Sequence, residues 1–426
     1  MALMNLPELQ NECAVRGLPV VGSGKNGKVL KKDCIQVLTR WSMGELKAQG
    51  LLLPGCEWVS SSIESPMLAE PQKVFKTDLL FKNFIGRSDV FAEEKKDGVR
   101  ILLTYFPGVG FELYSRNRSV TTFLFGDYVD QIYGWQRNVT ENVLPFPFVL
   151  DGELISLNPT VNGHVVTDTM LNAVVAILGM NQLDSYRMQA EAGYPLRLEV
   201  FDCLMFDGKP MLNCCLSERK RVLHEVVTKL HEAADRLSLP QLKWVEEVAV
   251  VRGSYDDKYS YYKEITGRGG EGLILKTESS LYNPTEARGG LGAGFIKWKR
   301  NTSESVGSGI DGFITGCVPG TGAFEGLVGS LIFSIYLLPS GELHEIARVS
   351  GLTDEIRKAV TTTSATGEVT LNPAWLGRVA EIEGQDVSSK SRSLAHARIL
   401  RFRDGADGKS PAQCVIQESV LNDMIL

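Results

Sequence analysis

Apolar residues near the start of the chain follow a helical period that a glycine-rich segment interrupts. The apolar residues lie on one helical face before and after a turn at residues 17–27. These residues are Leu6, Leu9, Cys13, Val29, Cys34, Ile35 and Leu38. This pattern predicts a small helical hairpin within residues 1–50. The less regular residues 51–89 are interpreted as a linker or bridging segment.

Between residues 90 and 300, short β-rich runs alternate with helical stretches. The β-rich runs lie at 101–105, 111–114, 148–155, 196–201 and 272–275, and the helical ones at 216–234 and 256–266. This mixture predicts an α/β or α+β domain built on antiparallel sheets over residues 90–300. We therefore assign the chain to the multidomain α+β class.

Beyond residue 300 a polar, glycine- and serine-rich link covers residues 301–309. Short strand-like runs separated by glycine turns follow at 312–318, 330–337, 342–349 and 396–402. Several short strands with such turns predict a small β-barrel, an OB-fold, in residues 301–426.

Composition limits how the chain could bind a polyanion. The 426 residues are 43% apolar, enough for two or three domains, and the net charge is -6. Contact with nucleic acid must therefore be local. Two basic stretches qualify, residues 1–50 and 387–403, and we predict DNA contacts from them at Lys25, Lys28, Lys31, Lys32 and Arg398.

Eight cysteines are scattered without a C-x-x-C pair, which argues against a structural zinc site and a disulfide framework. The first residues lack a basic segment followed by an apolar one, and no apolar run approaches membrane-spanning length. These features predict a soluble protein of a reducing, cytoplasmic compartment that does not contact membranes.

A glycine-rich motif near the start imitates a nucleotide-binding loop. Residues 22–28 read GSGKNGK, but Val29 stands where a phosphate-binding loop needs a hydroxyl for its metal. Pro19 also makes the preceding run a poor central strand. A basic loop within the helical hairpin is the better interpretation.

The strongest chemical signal is KKDGVR at residues 95–100. By itself this run is typical of a surface turn. A nucleophilic lysine needs its pKa lowered by roughly 3 pH units, about 4 kcal/mol, and nearby cations can supply this. Lys297 and Lys299 alternate along a strand, so we expect both to face Lys95, with Trp298 facing the core.

Other side chains fit a triphosphate site. Glu153 and Glu271 border separate strands and suit a hard cation such as Mg²⁺, which prefers few carboxylates. Phe201 offers a flat face for stacking on a base, and Arg116 is a candidate anion contact for ATP or DNA. Each of these residues alone is more often a turn, core or surface residue.

Taken together, these motifs resemble the compact, phage-like ATP-dependent DNA ligases. The family's motifs are matched in order by KKDGVR, SRNR, LDGELI, EVFDCLMFDG, EGLILK and FIKWKR. The resemblance implies an ATP-grasp-like nucleotidyltransferase domain that binds ATP and Mg²⁺ and seals nicked duplex DNA as a monomer. It implies that Lys95 is adenylated, with catalytic support from Lys297 and Lys299. ATP contacts would come from Glu93, which would read adenine, and from Arg100, Arg116, Glu153, Phe201 and Glu271.

Two further segments carry weaker resemblances. HARILRFRDGADGK resembles the motif that supplies an arginine and a lysine to the pyrophosphate. Here an insertion at 405–408 separates the acid, Asp404, from Lys409, which favours Arg401 and Arg403. Residues 1–50 resemble the SAP module, a DNA-binding helix-loop-helix. Two alternatives stay open: an RNA-joining or RNA-capping nucleotidyltransferase, and a DNA-binding accessory protein that lost activity. An NAD-dependent ligase is disfavoured because no four-cysteine cluster is present.

Overall fold

The computed structural model of the chain describes most of its residues. The described residues are 4–135, 143–157, 160–161, 164–165, 170–191, 196–268, 270–285, 294–299, 309–364, 367–384, 387, 391–394, 397–404 and 408–423. The chain forms two compact units, residues 1–298 and 299–426. In the described part of the chain, no helix is both long and apolar enough to cross a membrane.

Among its described residues, the first unit combines eight α-helices with fourteen strands. The helices are α1 (Leu6–Val15), α2 (Lys31–Ala48), α3 (Pro54–Ser62), α4 (Asp78–Ile85), α5 (Met170–Gly179), α6 (Gln182–Glu191), α7 (Leu216–Leu237) and α8 (Tyr255–Gly267). The strands are β1 (Glu70–Pro71), β2 (Val90–Glu94), β3 (Val99–Phe106), β4 (Gly110–Arg118), β5 (Phe125–Asp127), β6 (Phe148–Ser156), β7 (Thr160–Val161), β8 (His164–Val165), β9 (Leu196–Phe206), β10 (Lys209–Pro210), β11 (Val245–Glu247), β12 (Val250–Val251), β13 (Gly272–Thr277) and β14 (Phe295–Lys299).

The predicted helical hairpin is present as α1 and α2. Asn5 begins α1 by a reciprocal cap, in which its side chain accepts from the Glu8 amide and the Glu8 carboxylate accepts from the Asn5 amide. The apolar face forms one buried cluster made of Leu9, Cys13, Cys34, Ile35, Leu38 and Phe123. Because Phe123 belongs to the β-rich part of the unit, the hairpin is packed onto that part.

Two sheets face each other and form the centre of the first unit. The smaller sheet has the order β1-β14-β13-β2-β12, and the larger one β10-β9-β6-β3-β4-β5 with β11 beside β9. Phe91 of β2 and Leu102 of β3 belong to the apolar layer between them. The next residues along each strand, Ala92 and Leu103, point the other way, toward α4 and α8 or toward α5 and α7. This part of the unit therefore has four layers, in the order helices, sheet, sheet and helices.

Residues 51–89 contribute directly to this core. Cys56 and Val59 of α3, with Ile63 directly after it, pack between the sheets, while Phe84 and Ile85 of α4 cover the outer face of the smaller sheet. The helices are short, with Pro54 at the start of α3 and Gly86 after α4, so their apolar residues show little sequence periodicity. This is why the irregular sequence pattern suggested a bridging segment.

The second unit is mainly antiparallel sheet. Its elements are β15 (Ile310–Pro319), β16 (Val328–Leu338), β17 (Glu342–Val349), α9 (Asp354–Val360), β18 (Thr361–Thr363), β19 (Val369–Leu371), β20 (Val379–Glu383), β21 (Arg398–Phe402), β22 (Val415–Gln417) and α10 (Glu418–Asp423). The main sheet has the order β17-β16-β15-β20-β21, with β22 parallel to β16. Within the described residues, no strand pair closes this sheet from β17 to β21. The α+β class is confirmed, and the finer domain boundaries stay a prediction.

Candidate active site

A cavity of about 490 Å³ opens between the two sheets of the first unit. Seven residues singled out from the sequence line it: Glu93, Lys95, Arg100, Arg116, Glu153, Phe201 and Lys297. They come from six strands and the turn after β2, so only the folded sheets bring them together. The cavity is therefore the candidate active site.

Lys95 is the first residue of the turn that joins β2 to β3. Its amide donates to the carbonyl oxygen of Gly272 at 2.9 Å, which ties the turn to the start of β13. The turn passes so close to β6 that a Cβ on Gly98 would lie 2.2 Å from the carbonyl oxygen of Leu154. Glycine is thus a steric requirement of the K-x-D-G run. The Lys95 ammonium forms an ion pair with the Glu271 carboxylate.

Arg100 organises the wall of the cavity formed by the larger sheet. Its Nε and Nη2 donate to the two carboxylate oxygens of Asp151, each at 2.6 Å, and Asp151 also accepts from the Tyr282 hydroxyl at 2.6 Å. Burial by itself lowers the pKa of the Arg100 guanidinium, but Asp151 more than offsets this and holds the pKa above its ordinary value. The guanidinium lies 4.8 Å from the centroid of the Phe201 ring.

Glu153 lies directly opposite Arg100 in the pairing of β3 with β6. Burial is the main reason that the pKa of the Glu153 carboxyl is raised to about 7. The cations of Arg100 and Lys95 act in the opposite direction without offsetting the burial. A carboxyl group that titrates near neutrality at the cavity wall can bind a cation or accept a proton.

This raised pKa predicts a pH-dependent difference in stability between the protein and its Glu153→Gln variant. Because the pKa is higher in the folded protein than the ordinary 4.5, the stabilising contribution is complete below about pH 4.5 and is lost as the pH rises through about 7. Relative to the variant, the unmodified protein should lose about 1–3 kcal/mol of unfolding free energy between pH 5 and pH 8. Urea unfolding at several pH values measures this, and Glu325→Gln, at an exposed carboxylate of the second unit, is the control. Parallel stability profiles for Glu153→Gln and the unmodified protein would contradict the prediction.

Glu93 lies between two buried lysines. Its Oε2 is 2.5 Å from the Nζ of Lys276, and its Oε1 contacts the Nζ of Lys220. Burial lowers the pKa of Lys276, and Lys220 adds to this effect while Glu93 opposes it. Lys276 also lies 4.5 Å from the centroid of the Phe201 ring. Sequence reasoning missed both lysines; Lys276 closes the EGLILK run and could have been found, whereas nothing in the helical pattern of α7 distinguishes Lys220.

The two arginines of the SRNR run have different surroundings. Arg116 is exposed and lines the cavity. Arg118 is buried, and its guanidinium donates to the carbonyl oxygens of Ile63 at 2.6 Å, Ser60 at 3.0 Å and Phe123 at 3.3 Å. Burial lowers the pKa of Arg118 to about 10. Arg118 therefore attaches the end of α3 to the larger sheet.

We expect Arg118→Met to lower the free energy of unfolding by about 2–4 kcal/mol, because three buried carbonyl groups lose their donor. Arg116→Met is the matched control from the same strand and should change stability by less than about 0.5 kcal/mol. Equilibrium urea unfolding of the two variants measures the difference. Equal stabilities would show that Arg118 is not a structural link.

Other predicted residues lie outside the cavity wall. Lys299 follows Lys297 on the same strand but is not among the cavity-lining residues, and Glu271 reaches the site through its ion pair with Lys95. Trp298 stacks on Tyr262 of α8 with ring centroids 4.1 Å apart, so it faces the core as expected. The catalytic and metal-binding roles of Lys299 and Glu271 stay predictions.

In the second unit, the basic residues predicted to contact ATP or DNA form ion pairs. Arg401 Nε lies 2.8 Å from Glu381, Arg398 Nη2 lies 2.6 Å from Glu383, and Arg403 Nε lies 2.7 Å from Asp311. Lys409 Nζ is 2.5 Å from the same Asp311. The insertion that separates Lys409 from Arg403 in sequence thus does not separate them in space, and Lys409 joins Arg403 as a candidate.

The glycine-rich loop of the hairpin turns its amides inward. Asp33 accepts from the amides of Ser23 at 2.9 Å and Leu30 at 2.8 Å, and the Gly24 amide donates to the carbonyl oxygen of Lys28 at 2.9 Å. The amides of Ser23 and Gly24 thus donate to groups of the chain itself, which agrees with a basic loop within the hairpin. The side chains of Lys25, Lys28 and Lys32 are exposed and that of Lys31 is partly so, and their contact with DNA stays a prediction.

Comparison with known proteins decides the family. Residues 66–299, more than half of the chain, match the model of the ATP dependent DNA ligase domain. This chain belongs to that family. Its curated relatives include DNA ligase 2 of Korarchaeum cryptofilum, 25% identical over 292 residues, and the DNA ligase of Variola virus, 24% identical over 361 residues.

The matches with these ligases cover only part of each protein. The chain spans 43% of the Korarchaeum ligase and 58% of the Variola ligase, from 68% and 79% of its own length. A solved structure named Pmar-Lig_PreS3 shares the fold over 88% of this chain and 73% of its own, with a TM-score of 0.54 and 18% identity. The domain match establishes membership of the ligase family. The partial coverage of the relatives does not extend this to the activity of the whole protein.

Proposed function

We propose that the chain is an ATP-dependent DNA ligase that seals nicks in duplex DNA through a covalent lysyl-AMP intermediate. The observation that carries this proposal is the position of the Lys95 amine. It reaches a cavity lined by an aromatic ring, by carboxylates and by cations, which are the groups that a nucleoside triphosphate requires. A single chain supplies all of them, which supports action as a monomer, and we infer that it acts inside the cell.

In the first step the Lys95 Nζ attacks the α-phosphorus of ATP. The Lys95 ammonium, which is paired with Glu271, first loses one proton to solvent, and the neutral amine then forms a nitrogen–phosphorus bond as the bond from that phosphorus to the pyrophosphate oxygen breaks. The second proton that the nitrogen loses also passes to solvent, because Glu271 is proposed as a ligand of Mg²⁺. Lys297 lines the same cavity and would stabilise the negative charge of the transition state, assisted by Lys299. Arg401 and Arg403 are proposed to contact the leaving pyrophosphate.

Base and sugar binding follow from the walls of the cavity. Phe201 presents its ring to the cavity and would stack on adenine, while Glu93 would accept a hydrogen bond from the adenine amino group. Arg116, exposed at the cavity, would contact the ribose or the phosphate of the nick. Arg100 would act mainly by holding Asp151 and the base of this wall in place.

The carboxylates of the site fit Mg²⁺. Among the described residues, no cluster of three or more His, Cys, Asp or Glu side chains is arranged to hold a metal ion by itself. Mg²⁺ commonly takes one or two carboxylates and completes its shell with phosphate oxygens and water, so Glu153 and Glu271 would suffice. The ion would neutralise phosphate charge when ATP is bound.

In the later steps, AMP would move from Lys95 to the 5′-phosphate of the nick, and the 3′-hydroxyl would displace it. Exposed lysines of the N-terminal hairpin and Arg398 are proposed to bind the duplex backbone. The SAP-like role of the hairpin belongs to this proposal.

A joining assay tests the function. Purified protein with ATP and Mg²⁺ should seal a 5′-labelled nick in duplex DNA, and less efficiently the same nick with RNA strands. Preferential joining of RNA, or transfer of the nucleotide to an RNA 5′ end, would instead support an RNA ligase or capping enzyme. Failure to join either substrate, with DNA still bound, would support the accessory protein.

A further inference from the structure

Lys220 lies outside every motif that defines the proposed site, yet it contacts Glu93. Glu93 is 2% exposed, and its two carboxylate oxygens contact two different lysines. Lys276 comes from β13, next to the strand of Glu93, and lines the cavity. Lys220 comes from α7 and is not among the cavity-lining residues, so it holds Glu93 from behind.

Stability alone explains this arrangement poorly. One ammonium group neutralises one carboxylate, and burying a second ammonium is unfavourable unless it gains strong contacts. Two lysines that contact different oxygens instead fix the orientation of the Glu93 carboxylate. Rotating the carboxylate toward one lysine would break its contact with the other.

The fixed carboxylate lies beside the ring proposed to stack on the base. The Lys276 ammonium, 2.5 Å from Glu93, is 4.5 Å from the centroid of the Phe201 ring. A base stacked on Phe201 would therefore meet a hydrogen-bond acceptor, Glu93, beside a donor, Lys276. Adenine offers an amino donor next to a ring-nitrogen acceptor, whereas guanine offers the acceptor O6 where adenine has the amino group.

We propose that Lys220 is a positioning residue that locks Glu93 in the orientation that selects adenine over guanine in the nucleotide donor. This inference rests on the proposed function, because it assumes that Lys95 accepts a nucleotide. Without Lys220, the carboxylate is free to turn toward Lys276 and the acceptor–donor pair loses its order. Adenine then loses contacts, and guanine is no longer rejected by a fixed carboxylate facing its O6.

The experiment measures transfer of label from α-labelled ATP and α-labelled GTP to the full-length protein, over a range of nucleotide concentrations. Lys220→Met should raise the half-saturating ATP concentration about tenfold and reduce the ATP-over-GTP preference about tenfold, with the rate at saturating ATP within about threefold. Lys220→Arg, which keeps the charge, should restore both values to within about threefold. Arg221→Met, at the exposed neighbouring position, is the matched control and should change neither.

Lys220→Gln is a second variant in case Lys220→Met folds poorly, and the Lys220 substitution is also combined with Glu93→Gln. Since both substitutions act on the same contact, the double variant should lose little more preference than either single one. An unchanged ATP-over-GTP preference in folded Lys220→Met, or fully additive effects in the double variant, overturns the inference. If the unmodified protein accepts no label at all, the proposed function fails instead, so the two failures are distinguishable.

Discussion

Replacing Lys95 with alanine or arginine should abolish the retention of AMP on the denatured protein. Alanine removes the nucleophile, and arginine keeps the positive charge but stays protonated and cannot attack phosphorus. We expect label transfer from α-labelled ATP to fall below about 0.1% of the unmodified rate, comparable to loss of a nucleophile in other covalent enzymes. A denaturing gel followed by mapping of the modified residue measures both the amount and the position of the label.

The adjacent lysine supplies a matched control for this experiment. Lys96 belongs to the same run, but its Nζ lies 2.7 Å from Glu94 and 3.3 Å from Glu199 instead of contacting Glu271. Lys96→Ala should therefore keep the label on Lys95. Label that persists in Lys95→Ala, or that maps to another side chain, would exclude the lysyl-AMP mechanism.

Arg219→Met should lower the free energy of unfolding by about 3–5 kcal/mol, the range found when one partner of a buried ion pair is removed. Arg219 and Asp202 are both fully buried, and the guanidinium donates to the two carboxylate oxygens at 2.7 and 3.0 Å. The same guanidinium donates to the carbonyl oxygens of Cys214 at 2.6 Å and Ser280 at 3.0 Å. Removing it leaves a buried carboxylate and two carbonyl groups without this donor.

Urea unfolding measures the effect, with two comparisons. Arg221→Met removes an exposed arginine of the same helix, which pairs with Glu218, and should cost less than about 1 kcal/mol. The double variant Arg219→Met with Asp202→Leu should recover part of the loss, because no unpaired charge is then buried. A single variant as stable as Arg221→Met would mean that the buried pair does not hold β9 to α7.

Much of the site was predictable because its chemistry is local in sequence. The K-x-D-G run needs its glycine for close approach to β6, and the alternation of Lys297, Trp298 and Lys299 already assigns opposite faces to the strand. Likewise the helical period of the N-terminal segment identified the buried face that packs on Phe123. Such features depend on neighbours within a few residues, so they can be recognised without a structure.

Other assignments depended on distant partners. The SRNR run does not reveal that Arg116 reaches the cavity while Arg118 binds the end of α3, because the difference lies in which element covers each face of β4. Lys409 appeared displaced by an insertion, yet it meets Arg403 on Asp311. Lys95 also forms an ion pair with the Glu271 carboxylate, a contact that the sequence expectation did not include.

The order and spacing of the motifs were enough to indicate the ligase family, the α+β class and the lysine expected to carry AMP, because periodicity and motif chemistry are properties of short segments. Only the tertiary structure decided which charges meet: Lys220 with Glu93, Arg219 with Asp202, and Arg118 with the end of α3. A sequence pattern tells which face of an element is buried, but what covers that face follows from the packing of sheets and helices that are far apart along the chain.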